Sequence, residues 1–207
     1  MPSKTLRELY SHFVARTDFL VSKYDYPLPL PRDAAHRDMC QAINCDGRAL
    51  MIIRLQLLWA EFCRELVVRS ALGGYRTIAG SLLSRGSAVS NPQAIQQAVN
   101  KERKGRPPTW HSPTFVVAIA RSLGIQNHGQ IYMALSQVSP VDDLRAIRNY
   151  IVHPGEATRM AYEQVTWKLS ALGADPVSLL AFRVPGGATR FETWVADFKL
   201  MALNAVR

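Results

Sequence analysis

The sequence predicts an all-α chain, an antiparallel bundle of helices, on three observations. Apolar residues recur at the three-to-four spacing of helices and not in the alternation of strands. Helix starts of the Asn-Pro and Ser-Pro type recur along the chain, at Asn91, Ser112 and Ser139. Glycines close the apolar runs, as at Gly73, Gly124 and Gly173. With 207 residues, 48% of them hydrophobic, the chain is sized for a single domain over residues 1–207 with a substantial core.

Leu6, Leu9, Phe13 and Leu20 place a first helix over about Thr5 to Tyr24, and the alternating prolines of YDYPLPLPR (24–32) then forbid helix and make an extended connector. The longest helix is expected after Gly47, over Leu50 to Leu72, ending at Gly73 and Gly74; it is apolar on most sides, as a central element would be. Arg54, Glu61 and Glu65 share one narrow stripe of it and read as an internal ladder of ion pairs, the rival reading being that Glu61 or Glu65 faces Arg148. Asn91 with Pro92 opens a helix through Val99, Ser112 with Pro113 one ending near Gly124, and Asn127 caps one running to Val138. Ser139 with Pro140 starts the next, with Asp142 and Asp143 in the first turn, where the helix dipole favours negative charge. Pro154 disfavours α conformation at His153 and Gly155 can take a left-handed cap, so that helix ends beside the histidine. A further helix starts near Thr158 and ends near Gly173. The run VSLLAFRV (177–184) reads as a short strand or buried extended segment, and Thr189 with Glu192 forms a capping box for the last helix, which carries Phe191, Trp194, Val195, Phe198 and Leu203.

The residues RNYIVH (148–153) carry the chemistry. They place a cationic fork, an amide and an imidazole within one and a half helical turns. Leu144, Ile147 and Ile151 form an apolar stripe flanked by Val141 and Val152, and Arg148 projects inside that arc. An arginine there requires a carboxylate, a phosphate or a wet cleft, because burying a lone charge costs several kcal/mol. Asn149 and His153 stack on one line with Arg145 at the border of the solvent face. An imidazole titrates near working pH and suits proton transfer, and a guanidinium binds phosphate oxygens bidentately while staying charged.

Arg148, Asn149 directly after it and His153 at the helix end, in an otherwise helical chain, resemble the signature of the HEPN superfamily, the higher eukaryote and prokaryote nucleotide-binding domains. That pattern is an Arg, four to six residues and a His, often with Asn, Asp or His directly after the Arg. The resemblance implies a helical bundle of HEPN type and a metal-independent endoribonuclease of toxin or antiviral-defence type, with RNA as substrate and no cofactor. It implies a homodimer in which both motif copies line one cleft and 2′-hydroxyl attack leaves a 2′,3′-cyclic phosphate and a 5′-hydroxyl. His153 would then be the general acid or base, Arg148 would hold the scissile phosphate, and Asn149 would orient the site. An antitoxin or a defence-complex protein is the further partner implied. Some members carry a Tyr two residues after the histidine, the target of a partner nucleotidyltransferase; here Gly155 stands there, which speaks against that regulation. Other members bind RNA or nucleotides without cutting, or serve as interaction subunits, and these are the alternative readings.

Lys and Arg number 25 against 16 Asp and Glu, a net charge of +9 that attracts polyanions. Lys101, Arg103, Lys104 and Arg106, followed by Trp110, form a basic turn with an aromatic ring, the combination that single-stranded RNA contact requires, against the reading of a solvated helix end with Trp110 tucked into the core. Arg145 joins them as an RNA-binding candidate. The three cysteines, Cys40, Cys45 and Cys63, show no CxxC spacing and are expected as reduced thiols; His36, Cys40 and Cys45 lack a fourth ligand for zinc, so no metal is expected. MPSKTLRELYSHF contains no uninterrupted apolar segment of signal length and no window reaches a membrane span, so a cytoplasmic protein without a membrane partner is expected.

Overall fold

A computed structural model describes residues 5–24, 33–136 and 140–207. Among these the chain is all-helical, with nine helices: α1 (Leu6–Tyr24), α2 (Ala34–Leu72), α3 (Pro92–Arg103), α4 (Pro113–Ser122), α5 (His128–Ser136), α6 (Pro140–Val152), α7 (Glu156–Lys168), α8 (Pro176–Ala181) and α9 (Arg190–Val206). No sheet forms among the described residues; isolated bridges such as Arg183 with Thr189 are the extended pairings present. No helix among them is long and apolar enough to cross a membrane. The proline-rich connector beyond Tyr24 and the Ser139 cap lie outside the described residues.

The chain divides into two compact units. The first comprises residues 5–15, 57–136 and 197–207. Its core is aromatic: the Phe13 ring lies 5.0 Å from Phe62, and Trp59 meets Phe198 edge-on at 4.9 Å. Such pairs add about 0.5–1.5 kcal/mol each beyond their burial. Helices α3, α4 and α5 pack in succession, burying Ile95 and Val99, then Phe115, Val116 and Ile119, then Ile131 and Leu135. α2 stops at Gly73, which has φ +69° and whose absent Cβ would fall 2.4 Å from the Arg85 nitrogen, so glycine is required there on both counts. Backbone bonds from Leu6 N–H to Arg76 O and from Ile78 N–H to Val206 O tie the segment after it to both chain ends, each at 2.8 Å.

The second unit comprises residues 16–24, 33–56 and 140–196. α6 packs on α7 and α8, burying Pro140, Val141, Leu144 and Ile147. Tyr24 stacks on Phe191 at 4.2 Å, and Tyr150 on Tyr162 at 4.9 Å with the rings 8° from parallel.

Several elements differ from the sequence expectation. α2 begins at Ala34 and runs through Gly47. A single glycine costs a helix only about 1 kcal/mol relative to alanine, and the Ala, Arg, Leu and Met around Gly47 sustain the helix across it. α3 continues four residues past Val99, to Arg103. The run 177–184 is helix through Ala181 and extended only beyond it, where Arg183 bridges Thr189: Asp175 accepts from the N–H groups of Val177 and Ser178, each at 3.0 Å, and Pro176 takes the first helical position. An Asx-Pro start therefore outweighs an apolar run too short to show a period. Asn127 does not cap α5 with its side chain, which is buried with neither amide atom hydrogen-bonded; only its carbonyl accepts, from Ile131 N–H. The Asn91 cap and the Thr189–Glu192 capping box form as expected.

Candidate active site

The apolar stripe of α6 fades along the helix. Val141, Leu144 and Ile147 are buried, Ile151 is half-buried and Val152 is 36% exposed. The last turn of α6 thus emerges from its packing and carries the motif to the surface, with Arg148 and Asn149 half-buried and His153 exposed.

Charges along α6 and α7 are matched, with one exception. Arg145 pairs with Asp142 at 3.1 Å, Lys168 with Asp143 at 2.6 Å, and Arg159 with Glu156 at 2.6 Å and Glu163 at 2.5 Å. Among the described residues Arg148 has no carboxylate partner; its Nη1 donates to Asn149 Oδ1 at 3.0 Å. The amide satisfies one donor of the guanidinium without neutralising it, so four donors and the full charge remain for an oxyanion.

Asn149 serves both neighbours. Its side chain holds Arg148, and its carbonyl accepts the N–H of His153 at 2.9 Å, the closing bond of the helix. Thr158 then fixes the far side of the histidine: its Oγ1 accepts from Gly155 N–H at 3.1 Å and lies 2.8 Å from His153 O, to which it can donate. Gly155 has φ −174° and is the extended N-cap of α7, not the left-handed cap of α6 expected from the sequence. Thr158 is the residue that sequence reasoning assigned only a helix start; a Thr three residues after an N-cap is the signal for the bond it makes.

Tyr150 turns the other way. With Tyr162, Met160, Trp167 and Leu172 it lines a cavity of about 640 Å³, which neither Arg148 nor His153 borders. Burial, with the charge of Asp175 and Tyr150 adding to it, pushes the Tyr162 hydroxyl well above the usual tyrosine range, so it stays a donor, to Ala174 O at 2.5 Å. Of the motif, Val152 and His153 are exposed and the residues before them half-buried.

The basic turn belongs to the first unit. α3 ends in Lys104 at φ 47°. Lys101, Lys104 and Arg106 are exposed and have no acidic partner among the described residues, while Arg103 is half-buried with its Nε unbonded. Trp110 is half-buried, edge-on to Phe115 at 5.4 Å.

In α2, Glu65 pairs with Arg64 at 3.2 Å and Arg69 at 3.5 Å. Arg54, expected in that ladder, makes no ion pair among the described residues; Arg69 lies one turn from Glu65, and Arg54 three turns. His36 bonds Asp33 through Nδ1, Cys40 is half-buried and Cys45 exposed, and no group of three metal-ligating side chains occurs among the described residues. Cys63 is buried, which holds its thiol protonated well above the usual range.

The chain matches no protein-family model, no curated protein and no solved structure.

Proposed function

We propose that the protein is a metal-independent endoribonuclease of toxin or antiviral-defence type, working as a HEPN-like homodimer. The observation that carries this reading is Arg148, a half-buried guanidinium without a carboxylate among the described residues, on a hairpin where Arg145, Arg159 and Lys168 all have one. A structural arginine at such a position normally acquires an acid. One that is held by an amide is kept charged and available, as phosphate recognition requires.

In this reading Arg148 binds the scissile phosphate and the charge that develops on it. His153, exposed at the end of the same helix, moves the proton of the ribose 2′-hydroxyl or of the leaving 5′-oxygen, and Asn149 holds the arginine. A homodimer belongs to the proposal because the resemblance implies a cleft lined by two copies of the motif. The exposed cations Lys101, Lys104 and Arg106 favour a second reading, in which the chain binds RNA without cutting it.

Incubating the purified chain with mixed RNA in EDTA separates the two. Cleavage to cyclic-phosphate ends by the wild type, falling about 10²–10⁴-fold in His153→Ala, is expected of the nuclease. His153 is exposed, so the variant should melt within about 0.5 kcal/mol of the wild type. Binding without cleavage sinks the catalytic reading, and cleavage that survives in His153→Ala removes the histidine from it.

A further inference from the structure

A second cavity, of about 600 Å³, lies in the second unit away from the motif, lined by Tyr24, Arg48, Arg183, Gly187, Thr189 and Glu192 among others. Its floor is a stack of three groups. Phe191 is fully buried, Tyr24 lies parallel on it at 4.2 Å and is itself 2% exposed, and the Arg48 guanidinium lies over the Tyr24 ring at 5.3 Å. The Tyr24 hydroxyl is tied to Val177 O at 3.3 Å, so the ring under the arginine is fixed at both faces and at its end.

Arg48 is half-buried and leaves one donor unmet. It has no acidic partner among the described residues, and its Nε is shielded from solvent without meeting any acceptor. A buried charged donor left unbonded is costly, and a bound water, ion or ligand that supplies an acceptor removes that cost. The turn after α8 contributes Arg183 to the lining, and its Nη1 donates to Gly187 O at 2.5 Å across that turn, which holds the side chain in place. Among the described lining residues Glu192 is the acid, and its Oε2 is already occupied by Thr189, accepting from its N–H at 2.5 Å and its hydroxyl at 2.9 Å.

We propose that this cavity binds a small phosphate-bearing molecule, with Arg48 and Arg183 as its oxyanion clamp. Two guanidinium groups carried on separate elements, α2 and the turn after α8, can engage more oxygens than a single fork, and a tetrahedral phosphate offers more of them than a flat carboxylate. Among the described lining residues two cations stand against one carboxylate, a surplus of the sign that a phosphate group requires. The volume lies within the range of about 300–1,000 Å³ typical of small-molecule sites. The site is independent of the RNA-cleaving reading, since none of its residues belongs to the motif.

Calorimetric titration of the full chain with inorganic phosphate, ribose 5-phosphate and adenosine 5′-monophosphate, at constant ionic strength and with acetate as the carboxylate control, tests this. Saturable binding of at least one phosphate compound and none of acetate is expected, weakened about tenfold or more in Arg48→Gln and in Arg183→Gln. Equal affinity for all three phosphates assigns recognition to the phosphate alone, and tighter binding of the nucleotide assigns part of it to the base; both support the site. Arg183 is exposed, so Arg183→Gln remains informative if Arg48→Gln does not fold. Absence of binding, preference for acetate, or affinity untouched by Arg183→Gln overturns the proposal.

Discussion

Arg148 donates from Nη1 to Asn149 Oδ1 at 3.0 Å, one side chain holding its immediate neighbour. Residues adjacent on a helix point about 100° apart, so this bond bends the long arginine off its apolar face toward the line shared by Asn149 and His153. The relationship explains how a guanidinium that starts inside the apolar arc ends half-exposed without an acid among the described residues to neutralise it.

Asn149→Ala removes that restraint. RNA cleavage is expected to fall about three- to tenfold, the equivalent of one hydrogen bond near 1 kcal/mol, with little change in melting temperature. Asn149→Asp should fall a further few-fold, because its carboxylate pairs with Arg148 in up to about 1 kcal/mol of ion pair that the phosphate must displace. Single-turnover kinetics on the two variants decide the order; an Asp variant faster than the Ala variant contradicts the role of a free guanidinium.

Neutralising Lys101, Lys104 and Arg106 together to glutamine tests the basic turn. All three are exposed, so stability should hold, while the slope of log affinity for single-stranded RNA against log salt should flatten by about 2, at roughly 0.7 for each phosphate left without its cation. An unchanged slope returns the turn to an ordinary solvated helix end.

Gly47→Ala is expected to stabilise the chain by about 0.5–1 kcal/mol in urea denaturation. The position is helical, its φ is not left-handed, and a Cβ there would meet nothing within 4 Å. A loss of stability would show that α2 does not pass through Gly47 as continuous helix in solution.

Glu192 gives stability an acid limb. The backbone N–H and hydroxyl of Thr189 hold its carboxyl below the usual range. A lowered folded value means that the contribution is present above the unfolded value, about 4.3, and is lost as pH falls through the folded one. Glu192→Gln should therefore lower stability at neutral pH and flatten the decline below about pH 4.3, measured as urea midpoints across the acid range. An acid limb of unchanged steepness would assign it to other carboxyls.

Local chemistry was legible in the sequence wherever the deciding partners lie within one helical turn. The Asn91 and Thr189 caps and the placing of His153 at a helix end all rest on bonds between residues three or four apart, and all appear in the structure; of the α6 stripe, Val141, Leu144 and Ile147 are buried. The same locality would have revealed the Thr158 bond to His153 and the Asp175–Pro176 start of α8, had the cap signals been weighed above the apolar run. Only the tertiary structure decided that Lys168 reaches Asp143 while Arg148 reaches no acid among the described residues, that Tyr150 stacks on Tyr162 away from the motif, and that Arg48 and Arg183 line one cavity. Those outcomes depend on which helices pack together, and the side chains that meet across a packing interface are separated along the chain by distances no local pattern encodes.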